Sequence, residues 1–179
     1  MTLDALRESL PSYAKDLSLN LSTLAGETTL SEQQKWGCFV ASAYAVGSGP
    51  VIRAIVASAE AAGLSPEVVT AAKGAAAIMG MNNVYYRALH LLRSSDEYRA
   101  LPARLRMTLI GNPGVEKIDF ELWSMAVSAI NGCGMCMDAH EAELKKQAVS
   151  ALQIQTALRI ASVVNAVSQV MRAEDAARG

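Results

Sequence analysis

The chain has 179 residues, enough for one ordinary domain with its own core or for two small similar halves packed together. Hydrophobic residues make up 51%, with much alanine and only 5% aromatics, a composition that suits closely packed helices and predicts an all-α fold. A net charge of −1, from 16 basic and 17 acidic residues without long like-charge blocks, supplies no electrostatic footprint for nucleic acid or an anionic membrane surface.

At the N-terminus, MTLDALRESLPSYAKDL places acids and a proline where a secretory leader has a basic start and an apolar stretch, so export is not expected and a cytoplasmic location is. Three cysteines in such a chain argue against a structural disulfide framework. Any disulfide is then expected to be transient and functional. Ser31 with Gln34 forms a capping box that opens a helix to about Val46. The uncharged run from Trp36 to Ile52 approaches the length of a membrane span. Gly37, Gly47, Ser48, Gly49 and Pro50 interrupt it, and a buried helical corner is the better expectation. Pro50 begins a second helix that Gly63 closes, and Ser65 followed by Pro66 starts a third, to about Leu92. A polar interval, SSDEY, and the turn signal GNPG at Gly111 to Gly114 then separate two halves.

Past the turn, Asp119 is placed to cap a helix FELWSMAVSAI. The segment NGCGMCMDAHE opens another, to about Gln147, and Ser150 with Gln153 caps a long last helix. The order of elements repeats, giving one domain over 1–179 with halves of about 20–93 and 115–173. In this alignment Glu32 falls opposite Glu121, Ser65 opposite Ser150, and Trp36 to Ile52 answers Leu122 to Met137, with a drift of a few residues. Tyr44, Gly47 and Val51 then stand where the second half has Cys133, Cys136 and His140, so the C-terminal half alone carries the C-x-x-C motif.

If Gly132 ends the preceding corner, Cys133 sits in the first turn of a helix whose unpaired N–H groups and partial positive charge favour a thiolate. Two cysteines at i, i+3 have Cα atoms roughly 5 to 6 Å apart, within the span of a disulfide, so the pair can close without backbone movement. His140 lies four residues after Cys136 on the same face, in position to take its proton. That spacing favours Cys136 as the attacking thiolate and Cys133 as the resolving thiol. Glu121, on the preceding helix, is placed to orient His140 if that helix returns antiparallel, directly or through a water.

Other readings stay open on these residues alone. Zinc could be held by the two cysteines and His140 with Cys38 or His90 as a fourth ligand, although a second closely spaced ligand pair is absent from the sequence. HEAEL is not H-E-x-x-H, since Leu144 occupies the last position. Cys38, alone in an apolar corner, reads as a small packing residue, and His90 in YYRALHLL as an ordinary helix residue. Met125, Met135 and Met137 read as packing, with Met135 able to shape an apolar approach to the sulfurs.

The pattern E-x11-C-x2-C-x3-H, with its half-repeat, resembles the alkyl hydroperoxidase D family, within the wider group of carboxymuconolactone decarboxylases. The resemblance covers nearly the whole chain. It implies an all-α fold and a proton relay in which Glu121 acts through a water on His140 and His140 deprotonates Cys136. Cys136 then attacks peroxide to form a sulfenic acid, and Cys133 condenses with it to a disulfide. It further implies a homotrimer without a bound cofactor or metal, and a peroxiredoxin of the alkyl hydroperoxide reductase C type as partner. Electrons would come from the dihydrolipoamide group of a dihydrolipoyl acyltransferase subunit. Well-known members carry a histidine directly before the second cysteine, where this chain has Met135. A thioether moves no proton there, so direct peroxide turnover is expected to be weaker than thiol–disulfide exchange. The decarboxylase-like branch of the fold, which needs acid–base groups and no dithiol, is the alternative.

Overall fold

A computed structural model describes residues 1–92 and 97–178, and among them the regular elements are all helices. Two N-terminal helices, α1 (Leu3–Glu8) and α2 (Lys15–Ala25), precede α3 (Glu32–Val46), α4 (Gly49–Ala61) and α5 (Pro66–Leu91). Two single turns, α6 (Glu97–Ala100) and α7 (Thr108–Gly111), lead to α8 (Lys117–Ile130), α9 (Gly134–Lys146) and α10 (Ala151–Arg178). Ser94, Ser95 and Asp96 of the polar interval lie outside the described residues, while Glu97 and Tyr98 open α6. No helix among the described residues is long and apolar enough to cross a membrane.

The centre is made by α3 and α8, which pack on each other and against both α5 and α10. Each is buried on all sides over most of its length, residues 35–43 in α3 and 119–128 in α8, the pattern of a core helix rather than a surface one. Gly37 does not interrupt α3. A Cβ there would lie 2.1 Å from the Trp123 ring, so glycine is what lets the buried indole rest on the α3 backbone, and Trp123 Nε1 donates to the Gln34 carbonyl at 3.2 Å. Phe39 and Phe120 are wholly buried beside it, each contributing roughly 1.5–3 kcal/mol of apolar transfer.

Capping chemistry sets most boundaries where the sequence places them. Ser31 and Gln34 form the reciprocal capping box of α3, Ser65 Oγ accepts the Val68 N–H, and Ser150 accepts from the Gln153 N–H while Gln153 Oε1 accepts from Ser150. The expected cap at Asp119 is not formed. Glu116 precedes α8 without a side-chain cap, and Asp119, inside the first turn, accepts a hydrogen bond from Gln33 Nε2 of α3 at 2.6 Å.

The two helix series run in a fixed register. Helices begin at 32, 49 and 66 in the first series and at 117, 134 and 151 in the second, an 85-residue displacement each time. The drifting alignment of Glu32 with Glu121 is therefore corrected: Glu32 corresponds to Lys117, and Glu121 to Trp36. Likewise Ser48, Val51 and Ile55, not Tyr44, Gly47 and Val51, correspond to Cys133, Cys136 and His140. Identical residue types misled the alignment, whereas backbone geometry fixes it. Gly47 and Gly132 both adopt positive φ at the corner, and Gly63 and Ala148 both do so after the second helix.

Candidate active site

The corner between α8 and α9 is built by the last turn of α8. Gly132, at φ 66°, lets its N–H reach the Ala129 carbonyl while the Cys133 N–H reaches the Ser128 carbonyl, closing α8 with a left-handed C-terminal motif. Cys133 is thus committed to ending α8 before α9 begins. Its backbone, at φ −94° and ψ 88°, is not helical, so Cys133 is the N-cap of α9 rather than a first-turn residue. The sulfur takes the capping role and accepts the Cys136 N–H at 3.3 Å. Cys136 is the third residue of α9, and both sulfurs lie at the partially positive end of that helix.

From α5, Asn83 holds this corner in place. Its Nδ2 donates to Ser128 Oγ and its Oδ1 accepts from Asn131 Nδ2, both at 2.9 Å, and Arg87 donates to the Asn131 carbonyl. The motif cysteines form a disulfide, with Cα atoms 5.3 Å apart, inside the range that i, i+3 spacing predicts. Cys133 is wholly buried, whereas Cys136 is 7% exposed and borders a cavity.

Glu121, in the buried stretch of α8, reaches His140 on α9: its Oε2 lies 2.7 Å from Nδ1. The contact is direct, and at this distance no water fits between the two, so the water-bridged arrangement implied by the family resemblance is corrected. A carboxylate can only accept, which puts the proton on Nδ1 and leaves Nε2 as the basic nitrogen. Nε2 lies 3.3 Å from Met79 Sδ of α5. The four residues picked out by spacing, Glu121, Cys133, Cys136 and His140, therefore converge at one corner. A second link, Lys117 Nζ to Glu143 Oε1 at 2.8 Å, joins α8 to α9 beside them. That hydrogen bond lowers the Glu143 carboxyl, with a smaller one from Lys146, and correspondingly raises Lys117.

Cys38 is buried in α3, and burial, with the Asp119 charge second, pushes its thiol well above the ordinary value, which suits an inert packing residue. His90 lies exposed in the last turn of α5. Among the described residues no three His, Cys, Asp or Glu side chains are grouped to hold a metal ion. Met125 is core, and Met137 packs against it. Met135 is 38% exposed and lines the cavity beside Cys136.

That cavity, of about 310 Å³, is mostly apolar. Besides Cys136, Met135 and His140 it is lined by Met79, Asn82 and Tyr86 of α5 and by Met107 and Ile110 around α7. Sequence reasoning missed these lining residues, because they come from segments without a motif. One signal was available for Asn82: the pair Asn82–Asn83 sets two amides into the apolar stretch GAAAIMGMNNVYY.

Comparison with known proteins places the chain among close relatives. The Carboxymuconolactone decarboxylase family model matches residues 96–179. The chain is similar to the alkyl hydroperoxide reductase AhpD of Hyphomonas neptunium, at 62% identity over 176 residues, covering 98% of this chain and 97% of that protein. It is likewise similar to the AhpD proteins of Maricaulis maris, 60% identical over 97% of this chain and 99% of that protein, and of Rhodospirillum centenum, 54% identical over 100% and 95%. With such relatives spanning nearly its whole length, the chain belongs to the alkyl hydroperoxide reductase AhpD family.

Proposed function

We propose that this protein is an alkyl hydroperoxide reductase that works through a Cys133–Cys136 dithiol cycle. One observation carries the reading: the direct Glu121–His140 contact stands one helical turn from Cys136, and Cys136 and His140 line the same cavity. In the reduced protein His140 Nε2 takes the Cys136 proton, and the Glu121 carboxylate orients the ring and stabilises the imidazolium that forms. The Cys136 thiolate attacks the terminal peroxide oxygen. The O–O bond breaks, an S–O bond forms, and the departing alkoxide takes up a proton to leave as the alcohol. Cys133 then attacks the sulfenic sulfur, an S–S bond forms and water leaves, so two electrons pass from the dithiol to the peroxide.

Burial supports the division of labour. An incoming peroxide or foreign sulfur meets Cys136 at the cavity, while Cys133 is enclosed and acts only from within. A dihydrolipoyl group carried by an acyltransferase subunit is the proposed reductant, through a mixed disulfide on Cys136. By the same exchange the dithiol regenerates an AhpC-type peroxiredoxin, and the working assembly is a homotrimer in the cytoplasm with no bound cofactor. The names of the relatives support the peroxide chemistry. Met135, a thioether at the cavity mouth, relays no proton, which favours thiol–disulfide exchange over direct peroxide turnover.

Replacing Cys136 by serine tests the reading in an assay of lipoamide-dependent peroxide consumption. Loss of at least roughly 10³-fold is expected for removal of the attacking atom. Full activity in Cys136→Ser would overturn the dithiol cycle and leave acid–base chemistry by Glu121 and His140 as the alternative.

A further inference from the structure

The two adjacent asparagines of α5 have opposite fates. Asn83 is fully buried and bonded through both ends of its amide to Ser128 and Asn131, a structural role. Asn82 is 5% exposed, lines the cavity in front of Cys136, and has a buried amide oxygen without a hydrogen-bond partner. A buried polar atom left unpaired is costly, and natural structures usually satisfy it with water or a ligand. Other unpartnered buried side-chain atoms among the described residues, on Ser42, Ser48, Ser124, Gln147 and Ser168, do not line this cavity. Met79, Asn82 and Tyr86 follow one another at three- and four-residue spacing, which places them on the α5 face turned to α9.

We infer that Asn82 is a substrate-positioning residue, whose amide hydrogen-bonds the hydroperoxyl group of an uncharged alkyl hydroperoxide and aligns it with Cys136. This rests on the dithiol reading above and names the substrate side of the same site. Of the other lining residues, Met79, Met107, Ile110 and Met135 present apolar surface to the alkyl tail. A volume of about 310 Å³ lies at the lower end of small-molecule sites, which suits a short tail. In the ground state the Asn82 amide, a polar group of the cavity wall, bonds the hydroperoxyl group. As the O–O bond breaks, the contact keeps the terminal oxygen in line with the attacking sulfur, and the leaving alkoxide is protonated as above.

The test uses pre-reduced full-length protein and tert-butyl hydroperoxide, following the loss of two thiols per chain in a single turnover. Asn82→Leu keeps the volume and removes the amide, and its rate constant is expected to fall about tenfold, the loss of one neutral hydrogen bond. Two controls isolate substrate positioning: alkylation of Cys136 by iodoacetamide and reduction of the disulfide by dihydrolipoamide should each stay within about twofold of wild type. Asn82→Gln, which retains an amide, should recover part of the rate, and Asn82→Ala is read in the same way if the leucine variant does not fold. Wild-type protein that fails to lose thiols to the peroxide sinks the dithiol reading itself. If wild type reacts and Asn82→Leu reacts as fast, the positioning role is wrong. A parallel fall in alkylation would show an effect on the thiolate or fold, and slowing confined to dihydrolipoamide would assign the amide to the reductant; either result overturns the proposal.

Discussion

The α3–α4 and α8–α9 corners are the same piece of backbone put to different uses. Each has a positive-φ glycine, an N-cap residue and a 13-residue helix, followed by a left-handed residue and a long serine-capped helix. At the first corner Ser48 Oγ caps nothing and has no partner, and Val51 and Ile55 are wholly buried. At the second, Cys133, Cys136 and His140 occupy those three positions, and the last two border a cavity. Their coverings differ as well. The N-terminal helix α1 packs on α4, with the Leu3 N–H bonded to Ser58 Oγ, whereas α9, which packs on α8 and α5, shares an open cavity with Met107 and Ile110 around α7. A generic helical corner thus becomes a candidate site through three side chains and an adjoining cavity.

The largest effect that separates the corners should come from Glu121, which stands at the register of Trp36. In Glu121→Gln the amide fills the same space and can still meet the ring, yet it no longer holds the His140 tautomer by charge. Alkylation of Cys136 in the reduced protein at pH 7 is expected to slow by roughly 10- to 100-fold, as for loss of a group that orients a functional histidine. Helix content should be unchanged. An unaltered alkylation rate would remove Glu121 from the relay.

Much of this architecture was readable because helix ends are local chemistry. Ser31 with Gln34, Ser65, Ser150 with Gln153, and the glycines Gly63 and Gly132 act on backbone groups within a few residues, so sequence spacing alone places them. The motif was legible for the same reason, since Cys133 caps the helix that carries Cys136 and His140. Long-range facts were not. Asp119 looked like a cap because nothing local shows that Gln33, 86 residues away, takes its carboxylate. Met79 against His140 and Asn82 in the cavity depend on how α5 crosses α9, and neither side chain belongs to a spaced pattern. The register of the two halves escaped because two glutamates invited an alignment that the positive-φ residues contradict.

If the corners are one backbone, exchanging their left-handed residues should have opposite effects. Gly63 and Ala148 hold the same place after α4 and α9, at φ 94° and 58°, and in each case the following N–H reaches back to the carbonyl of Ala59 or Leu144. A β-carbon in that conformation costs about 1 kcal/mol or more, partly offset by the greater freedom of glycine in the unfolded chain. Ala148→Gly should therefore stabilise the protein by about 0.5 kcal/mol, and Gly63→Ala should destabilise it by about 1 kcal/mol, measured by denaturant unfolding. Changes of the same sign would mean that the two corners are not equivalent.

The smallest effect concerns how the second corner is tied together from outside. At the register of Glu143 the first half has Ser58, which holds α1; lacking that helix, α9 instead uses Glu143 to hold Lys117 of α8. The Glu143 carboxyl is lowered chiefly by the Lys117 hydrogen bond, so its contribution is present above the ordinary carboxylate value and is lost as pH falls through the lowered one. Lys117 is raised by the same bond, so its share is present below the ordinary lysine value and disappears only as pH climbs past the raised one. Between those limits the tie is intact, but both groups lie at the surface, where salt screens them. Glu143→Gln should lower the melting temperature slightly at pH 7 in low salt, and the difference should vanish at high salt and shrink as pH falls through the carboxylate range. Because Glu121 and His140 meet beneath this bridge, Cys136 alkylation should be unaffected. A variant that slowed alkylation would place the Lys117–Glu143 pair inside the reactive site instead of at its rim.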